Sequence, residues 1–184
     1  MLQRIFAGLV FAAAVISIAA GASAEEAGAG RVIDADPANL HEVITGLQAG
    51  DTVRLADGEY STKLELTGVK GAPEEPVTIT AAGDGAVFAV ENSALMLREC
   101  AYVTVEGLRV PGARYIAASM GGSEGCTIRN CRLDGGIYVS DSPETSIISN
   151  EVRESTSHGI RLLGESDGAR IIGNRFIDHF EHAP

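Results

Sequence analysis

Short strand-like segments recur every 19 to 26 residues, and this repetition constrains the fold more than any other feature of the sequence. Four segments align, with starts 23, 19 and 24 residues apart: VEGLRV from Val105, IRNCRL from Ile128, IISNEV from Ile147 and IIGNRF from Ile171. An earlier segment, ITAAGD from Ile79, begins 26 residues before Val105 and fits less well. Several short strands per repeat of this length predict a solenoid.

The aligned columns predict which side chains face inward, because successive side chains of a strand point to opposite faces. Two columns are apolar and are expected inside: Val105, Ile128, Ile147, Ile171 and Val110, Leu133, Val152, Phe176. A charged column is expected outside: Arg109, Arg132, Glu151, Arg175. In a second strand of the last two repeats, Ile137 and Ile160 are expected inside, and Tyr138 and Arg161 are expected to stack outside.

The fold predicted from these columns is all-β: a right-handed parallel β-helix with coils over about 51–177. Leucine-rich repeats have a similar length, but their dense Leu-x-x-Leu-x-Leu pattern is missing here. Each coil of a β-helix adds one strand to each sheet, about 4.8 Å from the previous one. An end of such a stack is an unpaired edge that needs a cover.

A short capping helix is predicted over 37–48. Asp36 is a favourable N-cap, Pro37 suits the first helical position, and Gly50 is the stop. The apolar stripe at i, i+3, i+4 and i+7 is too short to wrap a core, so it is expected to cover the end of the coils: Leu40, Val43, Ile44, Leu47.

Residues 1–24 are typical of a secretory signal peptide. Arg4 precedes an apolar run over 5–20, and Ala22-Ser23-Ala24 supplies small residues for cleavage. A retained anchor is the alternative interpretation, but a run of about 16 residues is shorter than the roughly 20 that span a bilayer. The chain is therefore expected to be exported, periplasmic or secreted, with one domain over 25–184 and no membrane span after cleavage.

Charge and cysteine content narrow the partners and the chemistry. The formal net charge of −11, without a basic run, excludes a nucleic-acid partner, which needs clustered Lys and Arg. Export permits disulfides, yet three cysteines allow one pair at most: Cys100, Cys126, Cys131. Burial of all three as small apolar residues is the alternative.

The opening of the predicted domain resembles polysaccharide lyase family six, the chondroitinase B and alginate lyase family. The resemblance rests on LQAGDTVRL from Leu47, on Asp57-Gly58-x-Tyr60 and on PVTITA from Pro76. GIRLLGES from Gly159, followed by Asn174-Arg-Phe176, is similar to a later coil, so the resemblance spans roughly 31–177. It implies an exported right-handed β-helix that acts on a uronate polysaccharide by β-elimination, with a Lys base, a nearby Arg and calcium.

This sequence departs from the family's pattern at the catalytic residues. The only lysines are Lys63 and Lys70, both in the first coils, so the resemblance identifies no catalytic residue in this chain. By resemblance, the coil with the catalytic Lys would lie just beyond Pro184, and no closing element follows Phe176. The expectation is a C-terminally truncated chain or, alternatively, an open last coil that is covered by self-association.

Tyr138, His158 and Arg161 are the predicted substrate-binding residues. They place a phenol, an imidazole base and a cation on one outer face, which suits an acidic sugar. The alternative is an ordinary solvated face whose long side chains cover apolar surface.

Other polar groups have competing interpretations. The charged column is either an anion track or a ladder of opposite charges. The acidic turns offer oxygen ligands for calcium or only bond their own backbone: Asp141, Glu144, Glu165, Asp167. Asn150 and Asn174 are predicted to bond backbone from coil to coil. A metal role for His179 and His182 is not expected, since they lie in the tail.

Three functions follow from the sequence. The first is β-elimination of an acidic polysaccharide with the help of calcium. The second is a non-catalytic carbohydrate-binding or scaffold module that uses the same outer face, favoured for this chain because the lysine coil is missing. The third is an interaction protein whose last coil pairs with another chain.

Overall fold

Three parallel sheets wind around one apolar core in a computed structural model that describes residues 30–178. The chain passes repeatedly through the first, the second and the third sheet, and each such passage is one coil. About six coils are stacked, and every strand pair is parallel. The predicted all-β solenoid is confirmed.

The strands of each sheet follow one another in chain order, because each coil contributes one strand to each sheet. The first sheet has seven strands: β1 (Val32–Ala35), β2 (Thr52–Leu55), β5 (Val77–Ala81), β8 (Val103–Glu106), β11 (Thr127–Arg129), β14 (Ser146–Ile148) and β17 (Arg170–Ile172). The second has six: β3 (Gly58–Tyr60), β6 (Ala86–Phe88), β9 (Arg109–Val110), β12 (Arg132–Asp134), β15 (Glu151–Arg153) and β18 (Arg175–Ile177). The third has five: β4 (Leu64–Thr67), β7 (Leu95–Arg98), β10 (Ile116–Gly121), β13 (Gly136–Ser140) and β16 (Ile160–Leu163).

The predicted columns are confirmed in register. The first apolar column runs through the first sheet, and Ile79 joins it below Val105. The second apolar column runs through the second sheet. Ile128, Leu133 and Val152 are at most 1% exposed, so these inward positions form the core. Burying such side chains is the main driving force for stacking the coils.

Two ladders of polar side chains bond the turns together inside the solenoid. Asn150 Oδ1 accepts from the Cys131 N–H at 3.0 Å, and Asn174 Oδ1 accepts from the Asn150 N–H at 2.9 Å. This confirms the structural role predicted for the asparagines. A serine ladder at another turn was not predicted; its hydroxyls accept from the backbone of the preceding coil: Ser123, Ser142, Ser166.

The predicted capping helix over 37–48 is wrong in extent, because only α1 (Leu40–Val43) is helical. Asp36 does bond the N–H groups of Ala38 and Asn39, as an N-cap would. However, Gly46 already has a φ of +83°, and a segment this short gains little from helix propagation. The apolar cover still forms: Leu40 is buried, and the rest of the stripe packs against the core.

The final strands expose apolar residues that face inward in the earlier coils. Leu162, Ile171 and Phe176 are 39%, 46% and 45% exposed, whereas their register partners Val139, Ile147 and Val152 are buried. The predicted signal peptide, His179 and His182 lie outside the described residues. Within 30–178, no helix has the length and apolar character that a membrane span requires.

Candidate functional site

Tyr138, His158 and Arg161 come together on the outer face of the third sheet. Tyr138 on β13 and Arg161 on β16 are register partners, so their side chains stack as predicted. His158 lies in the turn that leads into β16, which brings its ring beside that of Tyr138. Regular strands therefore hold two of the three groups, and a short turn holds the third.

Direct contacts connect these side chains. The Tyr138 hydroxyl lies 3.3 Å from Ser157 Oγ and 3.4 Å from His158 Nδ1, and Ser157 Oγ lies 2.6 Å from the same nitrogen. The Arg161 guanidinium carbon is 5.8 Å from the centre of the Tyr138 ring, within range of a cation–π contact. A phenol, an imidazole, a hydroxyl and a cation thus share one surface.

Tyr115 is a fifth member of the cluster, and the sequence did not reveal it. Its ring centre lies 5.7 Å from that of Tyr138, and it is 46% exposed. Ser119 is the register partner of Tyr138, and the pairing of β10 with β13 shifts between Ile116 and Ala118. Tyr115 lies in the turn just before β10, beside this irregularity, so a pattern of alternating residues does not indicate its contact with Tyr138.

The two tyrosines have pKa values displaced in opposite directions. The pKa of Tyr138 is lowered: burial is the largest influence and raises it, but hydrogen bonding with Ser157, Tyr115 and Arg161 and the positive charge of Arg161 together outweigh burial. The pKa of Tyr115 is raised, chiefly by its hydrogen bond to Tyr138. Tyr138 is therefore the phenol of the pair that loses its proton more readily.

A shallow groove of about 230 Å³ runs beside Tyr138 along the same face. Its floor includes the small residues Ser119, Gly121 and Ser140, and Arg98 lies at its edge. Arg98 on β7 is three strands from Arg161 on β16, so the two strands lie about 14 Å apart at the usual strand spacing. The face thus combines a groove, exposed aromatic rings and two guanidinium groups. We call the five residues Tyr115, Tyr138, Ser157, His158 and Arg161 the tyrosine cluster.

The charged column on the second sheet is a ladder of opposite charges over part of its length. Glu151 lies between two arginines, 3.0 Å from Arg132 Nε and 3.6 Å from Arg175 Nη1. At the other end Arg109 is the register partner of Arg132, so two like charges stack there. The ladder interpretation is thus confirmed around Glu151 only.

The acidic turns do not assemble a metal site within residues 30–178. There, no three His, Cys, Asp or Glu side chains are grouped so that they could hold a metal ion. The Asp141 carboxylate instead accepts the backbone N–H of Glu165 at 3.1 Å, as expected for a turn residue. Calcium binding stays a prediction, and no chemical step below depends on it.

The three cysteines are free and buried. Burial raises the pKa of Cys126 to about 11 and that of Cys131 to about 12, and it raises the pKa of Cys100 as well. These thiols stay protonated at neutral pH and serve as small core residues.

The two lysines lie away from the tyrosine cluster. Both line a hollow of about 1060 Å³ between the capping segment and the first coil. Lys70 Nζ donates to the Glu99 carbonyl at 2.6 Å. Neither lysine belongs to the coils that carry Tyr138, His158 and Arg161, so neither amine is a candidate base there.

Two family models match the sequence. The model described as the right handed beta helix region matches residues 75–183, more than half of the chain. The model described as chondroitinase B matches residues 35–114. A comparison with the curated proteins finds no significant match.

Solved structures with a similar fold include two polysaccharide lyases. An alginate lyase from Paenibacillus sp. str. FPU-7 superposes with a TM-score of 0.52 at 20% identity, covering 79% of this chain and 66% of that one. A PL6 family polysaccharide lyase from Pseudopedobacter saltans superposes with a TM-score of 0.50 at 16% identity, covering 79% and 46%. The chain thus spans about two thirds or less of the length of these lyases, and the likeness is one of fold.

Proposed function

The chain belongs to the right-handed β-helix family, and from this premise we propose that it binds an acidic polysaccharide across the outer face of its third sheet. The tyrosine cluster carries the proposal. Exposed aromatic rings offer flat apolar surface to a sugar ring, and a guanidinium offers a two-pronged partner to a carboxylate. The similarity in fold to an alginate lyase and to a PL6 family lyase supports this class of ligand.

Local charge makes this ligand compatible with an acidic protein. The whole chain carries a formal charge of −11, which repels a polyanion at long range. On the proposed face, however, Arg161 lies over the Tyr138 ring and forms no ion pair with an Asp or Glu among residues 30–178, and Arg98 is 3.8 Å from its partner Glu65. Both cations are therefore available to carboxylates. Added salt is expected to screen the long-range repulsion as well as the local attraction.

The test is a calorimetric titration of the purified chain with alginate, chondroitin and pectate oligosaccharides. Arg161→Gln is expected to weaken binding about tenfold or more, because a hydrogen bond to a charged group is worth about 1.5–3 kcal/mol. Tyr138→Ala is expected to weaken it severalfold through the loss of ring contact. Arg170→Gln is the matched control: it removes one exposed arginine from β17 of the first sheet.

The proposal fails if none of the three polymers binds the folded chain. It also fails if both cluster variants bind as tightly as the control. Circular dichroism of each variant separates a loss of binding from a loss of fold.

β-Elimination is a second candidate, and the lowered pKa of Tyr138 favours it. Arg161 would pair with the uronate carboxylate while the Tyr138 phenolate takes the proton from the adjacent carbon. The electron pair of that C–H bond forms a carbon–carbon double bond, and the bond to the leaving glycosidic oxygen breaks. The Tyr138 hydroxyl, which then carries the abstracted proton and lies 3.4 Å from His158 Nδ1, would return that proton to this oxygen.

The absorbance of the unsaturated uronide product measures β-elimination. Turnover that is lost in Tyr138→Phe while binding persists would establish the enzyme. Binding without any product in the wild-type chain would leave the non-catalytic module.

We also propose that residues 1–24 direct export. The composition of that segment supports it, as described above. Expression in a bacterium followed by cell fractionation and mass measurement is the test. A mature chain that begins at Glu25 outside the cytoplasm is expected, and an uncleaved cytoplasmic chain would contradict the proposal.

A further inference from the structure

Three arginines converge on the second sheet, on a different face from the tyrosine cluster. Arg109, Arg132 and Arg153 line a small cavity of about 80 Å³ together with Val110, Pro111 and Asp134. These arginines come from three neighbouring strands, β9, β12 and β15, so regular coil stacking holds them together. We propose that this cavity binds a single oxyanion group, a carboxylate or a sulfate.

Two like charges are stacked unfavourably at this cavity. Arg109 and Arg132 are directly opposite each other in register, and like charges in that position destabilise a sheet. On its other side Arg109 faces Val87. Within residues 30–178, no Asp or Glu oxygen lies within 4 Å of the Arg109 guanidinium. An anion between the two arginines would relieve the repulsion.

The lining of the cavity also contains an unsatisfied hydrogen-bond donor. The Nε atom of Arg153 is buried and has no hydrogen-bond partner in the described part of the chain. Buried donors of charged groups are costly to leave unpaired, so a bound acceptor is the expected partner. The Arg153 Nη1 atom is 3.8 Å from Glu151 Oε1, which leaves Nε for another oxygen.

The balance of charge and space also favours an anion. The lining of the cavity holds three guanidinium groups and one carboxylate, that of Asp134, and the nearby Glu151 is shared with Arg175. The cavity therefore keeps an excess of positive charge. Its volume corresponds to two or three water molecules at about 30 Å³ each, which suits one oxyanion and excludes a sugar ring.

An adjoining hollow indicates how such a group could be presented. A more open space of about 320 Å³ shares Arg109 and Arg132 with the cavity and adds Asn130 and Asp84. A carboxylate or sulfate attached to a larger polar molecule would enter the cavity while the rest of that molecule lies in the hollow. A free oxyanion would occupy the cavity alone.

The test follows the Nε–H signals of the arginine side chains by NMR while the full chain is titrated with sodium sulfate at constant ionic strength. Saturable shifts are expected for Arg109, Arg132 and Arg153. Arg109→Gln is expected to weaken sulfate binding about tenfold, the loss of one charge-assisted hydrogen bond. Arg170→Gln, which removes an equal charge from another sheet, is expected to leave it unchanged.

The form of the ligand is resolved by parallel titrations with acetate and with methyl glucuronide. Tighter binding of the glucuronide than of acetate assigns the site to a carboxylate borne on a sugar, and equal binding assigns it to a free oxyanion. Chloride that reproduces the sulfate shifts would overturn the proposal, as would the absence of any saturable shift. The shifts are measured on the wild-type chain, so the test does not depend on the folding of any variant. Because the cavity lies on the second sheet, its failure would leave the polysaccharide proposal untouched.

Discussion

Replacing Asn150 by Ala tests how the coils are held together. The side chain is 1% exposed and makes three hydrogen bonds: with the Cys131 N–H, with the Ile128 carbonyl and with Asn174 Oδ1, at 3.0, 2.9 and 3.0 Å. The substitution leaves the buried Cys131 N–H without its partner, at about 1–3 kcal/mol, and removes two further bonds of about 1 kcal/mol each. Allowing for some relaxation, we expect a loss of about 3 kcal/mol.

Urea unfolding followed by circular dichroism measures this loss, with an unchanged m-value as the sign that the same structure unfolds. In a chain of this size, about 3 kcal/mol lowers the Tm by about 6–12 °C. Asn174→Ala is the graded comparison, because Asn174 is only half-buried and water can replace its bonds. A smaller loss is expected there. A loss below about 1 kcal/mol in Asn150→Ala would refute the reasoning that the ladder stabilises the stack.

Four further predictions follow from the structure. Arg31 holds the pKa of Asp51 at about 2, below its ordinary value of 3.8. The ion pair therefore contributes about 1–2 kcal/mol of stability above pH 3.8, and this contribution is lost as the pH falls towards 2. Acid unfolding of Arg31→Gln should lack this decline. Thiol titration should find three reactive cysteines after unfolding and almost none before, since Cys126 and Cys131 are buried and protonated; fewer than three would indicate a disulfide. Calcium bound by the acidic turns would raise the Tm on addition and lower it with a chelator, and an unchanged Tm would remove that prediction. Self-association through the exposed apolar residues of the last strands would appear in sedimentation as an oligomer at micromolar concentration, and a strictly monomeric chain would contradict it.

The fold was predictable because the repeat period of the coils sets the spacing of the core residues. An inward column such as Val105, Ile128 and Ile147 must repeat with each coil, so the aligned sequence fixes the register that the structure shows. The stacking of Tyr138 and Arg161 followed from the same alternation. The capping helix was overestimated because the apolar stripe near Leu40 has helical spacing, although most of the segment forms turns.

The remainder of both sites depends on features that do not repeat. Tyr115 contacts Tyr138 from the turn just before β10, beside a shift in strand pairing, and it belongs to no repeated column. The arginine cavity needs Arg153, which belongs to no charged column in the alignment; it stands two residues beyond Glu151 on β15. Side chains two apart on one strand share a face, so the sequence does place Arg153 on the same face as Glu151. The alignment, however, offers no repeated position that links Arg153 to Arg109 and Arg132.

The most direct measurement of the central claim is a map of where an acidic oligosaccharide touches the chain. Backbone amide shifts would be recorded during titration with alginate, chondroitin and pectate oligosaccharides. The largest shifts are expected on β13, on β16 and in the turn at His158, with smaller ones at Arg98 on β7. Shifts confined to the first sheet, or no shifts with any of the three ligands, would contradict the claim.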